Sequence, residues 1–352
     1  VKAADKAKIG VLVADVSGEE AQGFRSYYEN YIAGNYDVEF NYTDALQSAE
    51  DEKTAIEKFA SQGCQAIISF SSNDRVQQIE TCEKYGVYYA VASGVLDDAQ
   101  YETYKTYEYF AGQVGPGNDT EFEAGKDMGA YYKEQGVSKV AIYGAFIPNP
   151  MHVYRVAGVL NGLGCTYGGE SDMNAIAGQI FQDQTVDLSK VEGDVEVVSY
   201  LQGYGDTTTD ELNAAIQKTP DAFISVGMAT TFFAQSLSEA GISFSDIDSF
   251  TETNGNSMKN GTLTYLAGKY SSSIGPVFAL VMNAINGNVI RDEDGNAPSI
   301  SQGYLVATDS DTFDKYSVSD SGDAPIYDKE TLDSIIGDNV TFEDVKTLVE
   351  SK

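Results

Sequence analysis

Histidine occurs once in the 352 residues, tryptophan not at all and cysteine three times. A lone His152 excludes any site built from several imidazoles. Cys64, Cys82 and Cys165 form no Cys-x-x-Cys or Cys-x-x-His pair, so no zinc or redox motif is present. The odd count argues against a full disulfide framework. Buried thiols are the simpler reading, with a Cys64–Cys82 bridge left open as the alternative. Basic residues are scarce: 22 Lys and Arg stand against 54 Asp and Glu, a net charge of −32. Nucleic acid is thereby excluded as a partner, because phosphates are neutralised by clustered Lys and Arg. An anionic membrane surface is disfavoured for the same reason. The acids are spread along the chain, as a solvated surface has them. No apolar run approaches the ~20 residues that span a bilayer. The longest, such as Ile9–Ala14 and Ala66–Ile68, are strand-sized.

Catalytic signatures are missing too. There is no Gly-x-Ser-x-Gly elbow, no phosphate-cradling Gly-x-x-x-x-Gly-Lys loop and no His-Glu-x-x-His helix. His152 has no triad partners in sequence. Gly115-Pro116-Gly117 lacks the third glycine of a dinucleotide fingerprint and reads as a turn into a helix capped by Asn118. Asp292-Glu293-Asp294-Gly295-Asn296 resembles part of a calcium loop, but Gly303 stands where its final Glu belongs. A hairpin turn on Asp294-Gly295 is the better reading. The expectation is therefore a protein that is not an enzyme and needs no cofactor or metal.

What is present is alternation. Lys8–Val13 is a near-continuous apolar run, the mark of a strand buried on both faces of a parallel sheet. Ser17 and Glu20 have capping-box spacing, which predicts a helix carrying Phe24, Tyr27, Tyr28 and Tyr31 to Gly34. Strands follow at 36–42, 65–70, 87–92 and 107–112, with helices at 48–61 and 73–85. The pattern restarts with helices at 118–135, 152–163, 208–218 and 230–240, and strands at 139–143, 195–200, 222–226, 247–252 and 263–267. An apolar helix is expected at 275–286, a strand at 301–308, a polar loop at 309–323 and two short amphipathic segments beyond it. Strands alternating with helices mean doubly wound parallel sheets. The length exceeds the roughly 250–300 residues at which single cores stop growing. Two α/β lobes of Rossmann-like architecture follow.

The order and spacing of these pieces resemble the type I periplasmic binding proteins of sugar ABC transporters, the ribose/galactose-binding family. The pieces are KIGVLV at 8–13, AIISFSS at 66–72, VYYAVASG at 87–94, NDTEFEAGKDMGAYYKEQG at 118–136, the helix holding Arg155 and Gly158, PDAFISVGMATTFFAQSLSEAGI at 220–242 and SSIGPVFALVMNAINGN at 272–288. The match runs over about residues 8–308. It implies a hinge of three crossing strands, near 111–115, 267–271 and 301–305. The lobes would be 1–112 with 270–302, and 113–269 with 303–352.

The resemblance also implies a solute cleft at the carboxyl ends of the strands, where helix N-termini supply donors. Carried over by position, its lining would include Asp15, Ser17, Glu19, Phe70, Ser71, Asn73 and Ser93 from the first lobe. The second would give His152, Arg155, Met228, Thr230, Asn254 and Lys269. Ala92-Ser93-Gly94 replaces the family's Asp-Arg pair, and Thr253-Asn254 stands where an Asp is usual. Fewer carboxylates then face the solute, while Arg155 and Lys269 remain, which leaves room for a sugar acid, a nucleoside or another anion beside a neutral sugar. A structural pair with a local acid is the competing role for Arg155. The implied partners are a small solute and a membrane permease, and the implied state is a monomer. The implied place is extracytoplasmic, in a periplasm or as a cell-surface lipoprotein of a Gram-positive bacterium. The opening Val1-Lys2-Ala3-Ala4-Asp5 reads as a mature or trimmed start. A ligand sensor feeding a signalling receptor is the rival reading on the same fold.

Overall fold

The computed structural model describes residues 6–321 and 324–352, so the opening Val1–Asp5 lies outside the described residues. Strands form, in chain order, at β1 Ala7–Val13, β2 Val38–Ala45, β3 Ala66–Ser69, β4 Tyr88–Ala92, β5 Phe110–Gly115 and β6 Lys139–Tyr143. There follow β7 Thr166–Tyr167, β8 Val191–Glu192, β9 Glu196–Leu201, β10 Ala222–Ser225, β11 Phe244–Ser249, β12 Leu263–Lys269, β13 Ser299–Ser301 and β14 Leu305–Ala307. The chain divides into two compact units. One holds residues 1–116, 271–302 and 318–352; the other holds 117–270 and 303–317.

The first unit is a parallel sheet in the order β13-β5-β4-β3-β1-β2. The central runs of β1 and β3 are almost wholly buried, as strands covered by helices on both faces must be. Ser48 caps the helix Ala49–Ser61, its hydroxyl accepting from Asp51 N at 3.1 Å. Asp74 caps Arg75–Tyr85 by accepting from Gln77 N at 2.9 Å, and Gly86 closes that helix in the left-handed region at φ 66°. The second unit has the order β14-β12-β11-β10-β6-β9, with only β14 antiparallel. Each unit has its own apolar core. This is the α/β, doubly wound architecture expected. No helix among the described residues is long and apolar enough to cross a membrane.

Several expectations are corrected. Ser17 does not cap the first helix. Gly18 takes that position without a side-chain bond, and the helix Glu19–Ser26 passes into a π-helical turn at Tyr27–Ile32. Gly117 rather than Asn118 precedes the helix Asn118–Glu134. The expected strand at 301–308 is two strands, β13 and β14, one in each unit's sheet. The expected helix at 230–240 breaks at Phe233. The segment expected as a polar loop holds the helix Ser310–Ser321; residues 322 and 323 of it lie outside the described residues. The C-terminal segment was expected with the second lobe, yet 318–352 belongs to the first unit. Tyr27 donates to Tyr327 O at 2.6 Å, and Asn283 Nδ2 donates to Ile335 O at 2.8 Å, which tie it there. The chain therefore passes between units four times, after Pro116, Tyr270, Gln302 and Ser317. The three cysteines are free, buried thiols, so the Cys64–Cys82 bridge is absent.

Candidate functional site

In the first unit, parallel register brings three strand ends side by side: Leu12 of β1 pairs with Ser69 of β3, and Ser69 with Val91 of β4. The loops 14–18, 70–74 and 93–95 therefore share one edge. Asp15 organises the first loop. Its carboxylate accepts from Ser17 N at 2.9 Å, Ser17 Oγ at 3.2 Å and Gly18 N at 3.2 Å. These bonds, led by the Ser17 amide, hold its pKa below the ordinary carboxylate value. Ser17 and Glu19 are exposed. Phe70 stacks on Phe24 with ring centroids 5.4 Å apart, so part of its face belongs to the core.

Ser71 is the first expected residue that turns inward. It is fully buried, and its hydroxyl donates to Glu52 Oε1 at 2.5 Å. The same carboxylate accepts from Asn73 N at 2.9 Å, Asn73 Nδ2 at 3.0 Å and Asp74 N at 2.9 Å. Burial alone would raise the pKa of Glu52; these donors, Ser71 foremost, hold it below the ordinary value. Glu52 is thus the anchor of the loop 71–74, and it engages both the backbone amide and the side-chain Nδ2 of Asn73. Ser93 sits half-buried after β4 with φ 54°, a left-handed backbone.

Arg75 was not anticipated. It opens the helix Arg75–Tyr85 and lies half-buried at this edge, with Nη1 donating to Val95 O at 2.8 Å. Gly94 makes room for it: a Cβ there would lie 3.0 Å from Nη2.

In the second unit, Tyr143 of β6 pairs with both Leu201 of β9 and Ser225 of β10, and Ser249 of β11 pairs with Lys269 of β12. His152 and Arg155 lie on the helix Pro150–Gly162, which Asn149 caps and Pro150 starts. Both side chains face Gly227: its Cβ position lies 3.6 Å from His152 Nε2 and 3.7 Å from Arg155 Nη1. His152 Nδ1 lies 3.1 Å from the amide nitrogen and 3.2 Å from the carbonyl oxygen of Phe146, so the backbone of that residue holds the ring. Burial, then the Arg155 charge, lowers the His152 pKa to about 4.

Arg155 takes the structural role that competed with solute binding. Its Nε donates to Glu121 Oε2 at 2.5 Å, Nη2 to Glu121 Oε1 at 3.3 Å and to Tyr304 OH at 2.8 Å, and Nη1 to Val226 O at 2.8 Å. Tyr304 OH in turn reaches Glu121 Oε1 at 2.8 Å. Burial opposes the charge on Arg155, but the Glu121 carboxylate prevails and raises its pKa. The pair is buried on both sides.

Met228 is exposed at φ 67°, at the start of the short helix Ala229–Phe232. Thr230 N donates at 3.3 Å to the buried carboxylate of Asp246, which also accepts from Ala229 N at 2.8 Å and Ser225 Oγ at 3.0 Å. Burial, then the neighbouring Asp248, raises the Asp246 pKa well above normal. Asn254 Nδ2 donates to Ser249 O at 2.8 Å. Thr230 Oγ1 and Asn254 Oδ1 are buried with no hydrogen-bond partner among the described residues. Lys269 ends β12.

Sequence reading missed a set of exposed apolar residues at the same edge. Phe146 follows β6 and Tyr204 follows β9; Tyr204 stacks on Phe232 at 4.1 Å with the rings 12° apart. Their signal was an aromatic placed just beyond a strand end, indistinct in a chain with 24 Tyr and 16 Phe. Among the described residues no group of His, Cys, Asp and Glu is placed to hold a metal ion. The calcium-like segment is a turn, with Asp292 Oδ1 accepting from Asp294 N at 3.0 Å and Asn296 N at 2.8 Å.

No family model matches the sequence, and no curated protein matches it. Solved structures do. An ABC transporter periplasmic solute-binding protein from Actinobacillus succinogenes, with bound D-allose, aligns at a TM-score of 0.66 and 16% identity, over 88% of this chain and 100% of that one. The periplasmic component of an arabinose ABC transporter from a Shewanella species aligns at 0.60 and 16%, over 88% and 94%. A Caulobacter myo-inositol binding protein aligns at 0.59 and 14%, over 87% and 94%. At these identities the likeness is one of fold, and it establishes the type I periplasmic binding protein fold for this chain.

Proposed function

We propose that the protein is a non-enzymatic, extracytoplasmic solute-binding component of an ABC transporter, and that its solute is a sugar. The observation that carries the reading is the likeness of fold over nearly the full length of both chains to ABC-transporter proteins with bound arabinose or D-allose, and to a protein with bound myo-inositol. The carboxyl edges of both sheets support it. The first offers carboxylate, amide and hydroxyl groups at Asp15, Asn73 and Ser93, and the second, taken by itself, has the exposed rings of Phe146 and Tyr204; polar groups and ring faces are what a sugar's polar rim and apolar face require. On this reading the partners are the solute and a membrane permease, and the protein acts as a monomer at the outer surface or in a periplasm.

A thermal-shift screen against pentoses, hexoses, inositols, uronates, nucleosides and amino acids tests it. A solute at about 100 times its Kd stabilises the native state by roughly 2.7 kcal/mol, a shift of a few degrees for a chain of this size. Stabilisation confined to sugars or inositols is the expected outcome. Stabilisation by nucleosides or amino acids alone would overturn the choice of solute, and a flat response to the whole panel would overturn capture itself.

A further inference from the structure

Four arginines occur in the chain, and three are accounted for. Arg25 pairs with Glu29 at 3.0 Å and Arg155 with Glu121. Arg291 has no carboxylate, but it fills its donors with three carbonyls: Phe110 O at 2.7 Å, Tyr107 O at 2.9 Å and Glu108 O at 2.9 Å. Arg75 differs from all of them. Among the described residues only one of its five N–H donors, on Nη1, is used, by Val95 O. Its Nε is buried with no partner. It forms no ion pair among the described residues, in a chain where acids outnumber bases by more than two to one. The nearest acids along the chain are occupied: Asp74 caps the helix through Gln77 N, and Glu52 is saturated by Ser71, Asn73 and Asp74.

A half-buried guanidinium without a counter-charge is costly unless something offsets it. The surroundings keep the group in place. Gly94 leaves space for Nη2, and Gly94 itself can lie close only because Gly115 has no side chain, since a Cβ there would collide with the Gly94 backbone. The open donors thus stand at the strand-end edge where the expected residues Ser93 and Asn73 also lie. A planar fork of N–H groups matches a carboxylate two bonds at a time.

We infer that Arg75 is the first unit's anion-recognition residue, and that the solute is an acidic sugar whose carboxylate it receives. This rests on the capture reading above. The closing experiment uses D-glucuronate and D-galacturonate against D-glucose and D-galactose, pairs that differ at C6 alone, by calorimetric titration. The wild type should bind a uronate at least tenfold more tightly than its parent hexose. R75Q should weaken uronate binding at least tenfold more than it weakens hexose binding, while R75K recovers part of the loss. The uronate affinity of the wild type should fall as NaCl rises and the hexose affinity should not, a readout that needs no variant to fold. Equal affinity for acid and hexose, or equal weakening of both in R75Q, would overturn the inference and leave sugar capture standing. If none of the four compounds binds and neutral sugars also fail in the wider screen, capture itself is overturned.

Discussion

His152 can be followed alone, because it is the chain's single imidazole. Its pKa is lowered to about 4 by burial and by Arg155, against 6.5 for an exposed ring. Between those values the unfolded chain takes up a proton that the native state refuses. The native state is therefore favoured most above about pH 6.5, and that stability is lost as pH falls toward 4, on the order of 3 kcal/mol in all. Ring resonances in a proton NMR titration should stay constant from pH 8 to 5.5. A midpoint near 6.5 would show that the ring is not buried as described. H152Q should flatten the acid limb of the stability curve measured by urea denaturation. Glu121 is the second residue to test. E121A leaves the Arg155 charge buried and uncompensated, and such losses cost about 3–5 kcal/mol. Urea unfolding should register that loss in the second unit. A change below about 1 kcal/mol would mean that water replaces the carboxylate.

Helix contact in the second unit depends on glycines four apart. Gly125 and Gly129 lie on Asn118–Glu134, Gly158 and Gly162 on Pro150–Gly162. A Cβ at Gly158 would strike the carbonyl oxygen of Phe122, and one at Gly125 the carbonyl of Arg155, so the two backbones touch. The same contact sets the distance from Glu121 to Arg155. G158A should cost about 1–3 kcal/mol by overpacking, although alanine is the better helix former by about 1 kcal/mol. Unaltered stability in denaturant melts would show that the helices separate freely. This scale also shows what could be read before the structure. Buried strands such as Lys8–Val13 and Ala222–Val226 announced themselves, because continuous apolar runs have few other uses. The helix Ser310–Ser321 did not, since Phe313 is its one buried aromatic in a polar stretch. Ser17 carried a capping spacing, but Asp15, two residues earlier, claims its hydroxyl. For the site, position after a strand end was legible; commitment was not. Ser71 and Arg155 are claimed by Glu52 and Glu121, 19 and 34 residues away, and no local pattern reveals such pairings. Arg75 stayed hidden for the converse reason: a basic residue opening a helix looks solvated until its lack of an acid partner is seen.

The whole chain folds the first unit from three separate stretches, and the last of them completes it. Tyr327, Leu332, Ile335, Val345 and Val349 are buried there. Tyr327 and Leu332 close on Gly275, where the apolar helix Gly275–Ile285 begins. Asn283 binds the returning chain from both ends of its amide, donating to Ile335 O at 2.8 Å and accepting from Gly337 N at 2.9 Å. Burial of a large apolar side chain contributes about 1.5–3 kcal/mol, so this segment supplies an amount comparable with the roughly 5–15 kcal/mol that holds a typical domain folded. The second unit's own residues end at 317, before this segment begins. Ending the chain before Tyr327 should therefore unfold one unit and spare the other. Hydrogen exchange should show protection lost in β1, β3 and β4 but kept in β6, β10 and β11, and calorimetry should retain a single transition. Protection kept in both sheets would mean that the segment only covers the first unit. Protection lost in both would mean that the second unit cannot hold its fold once the first has gone.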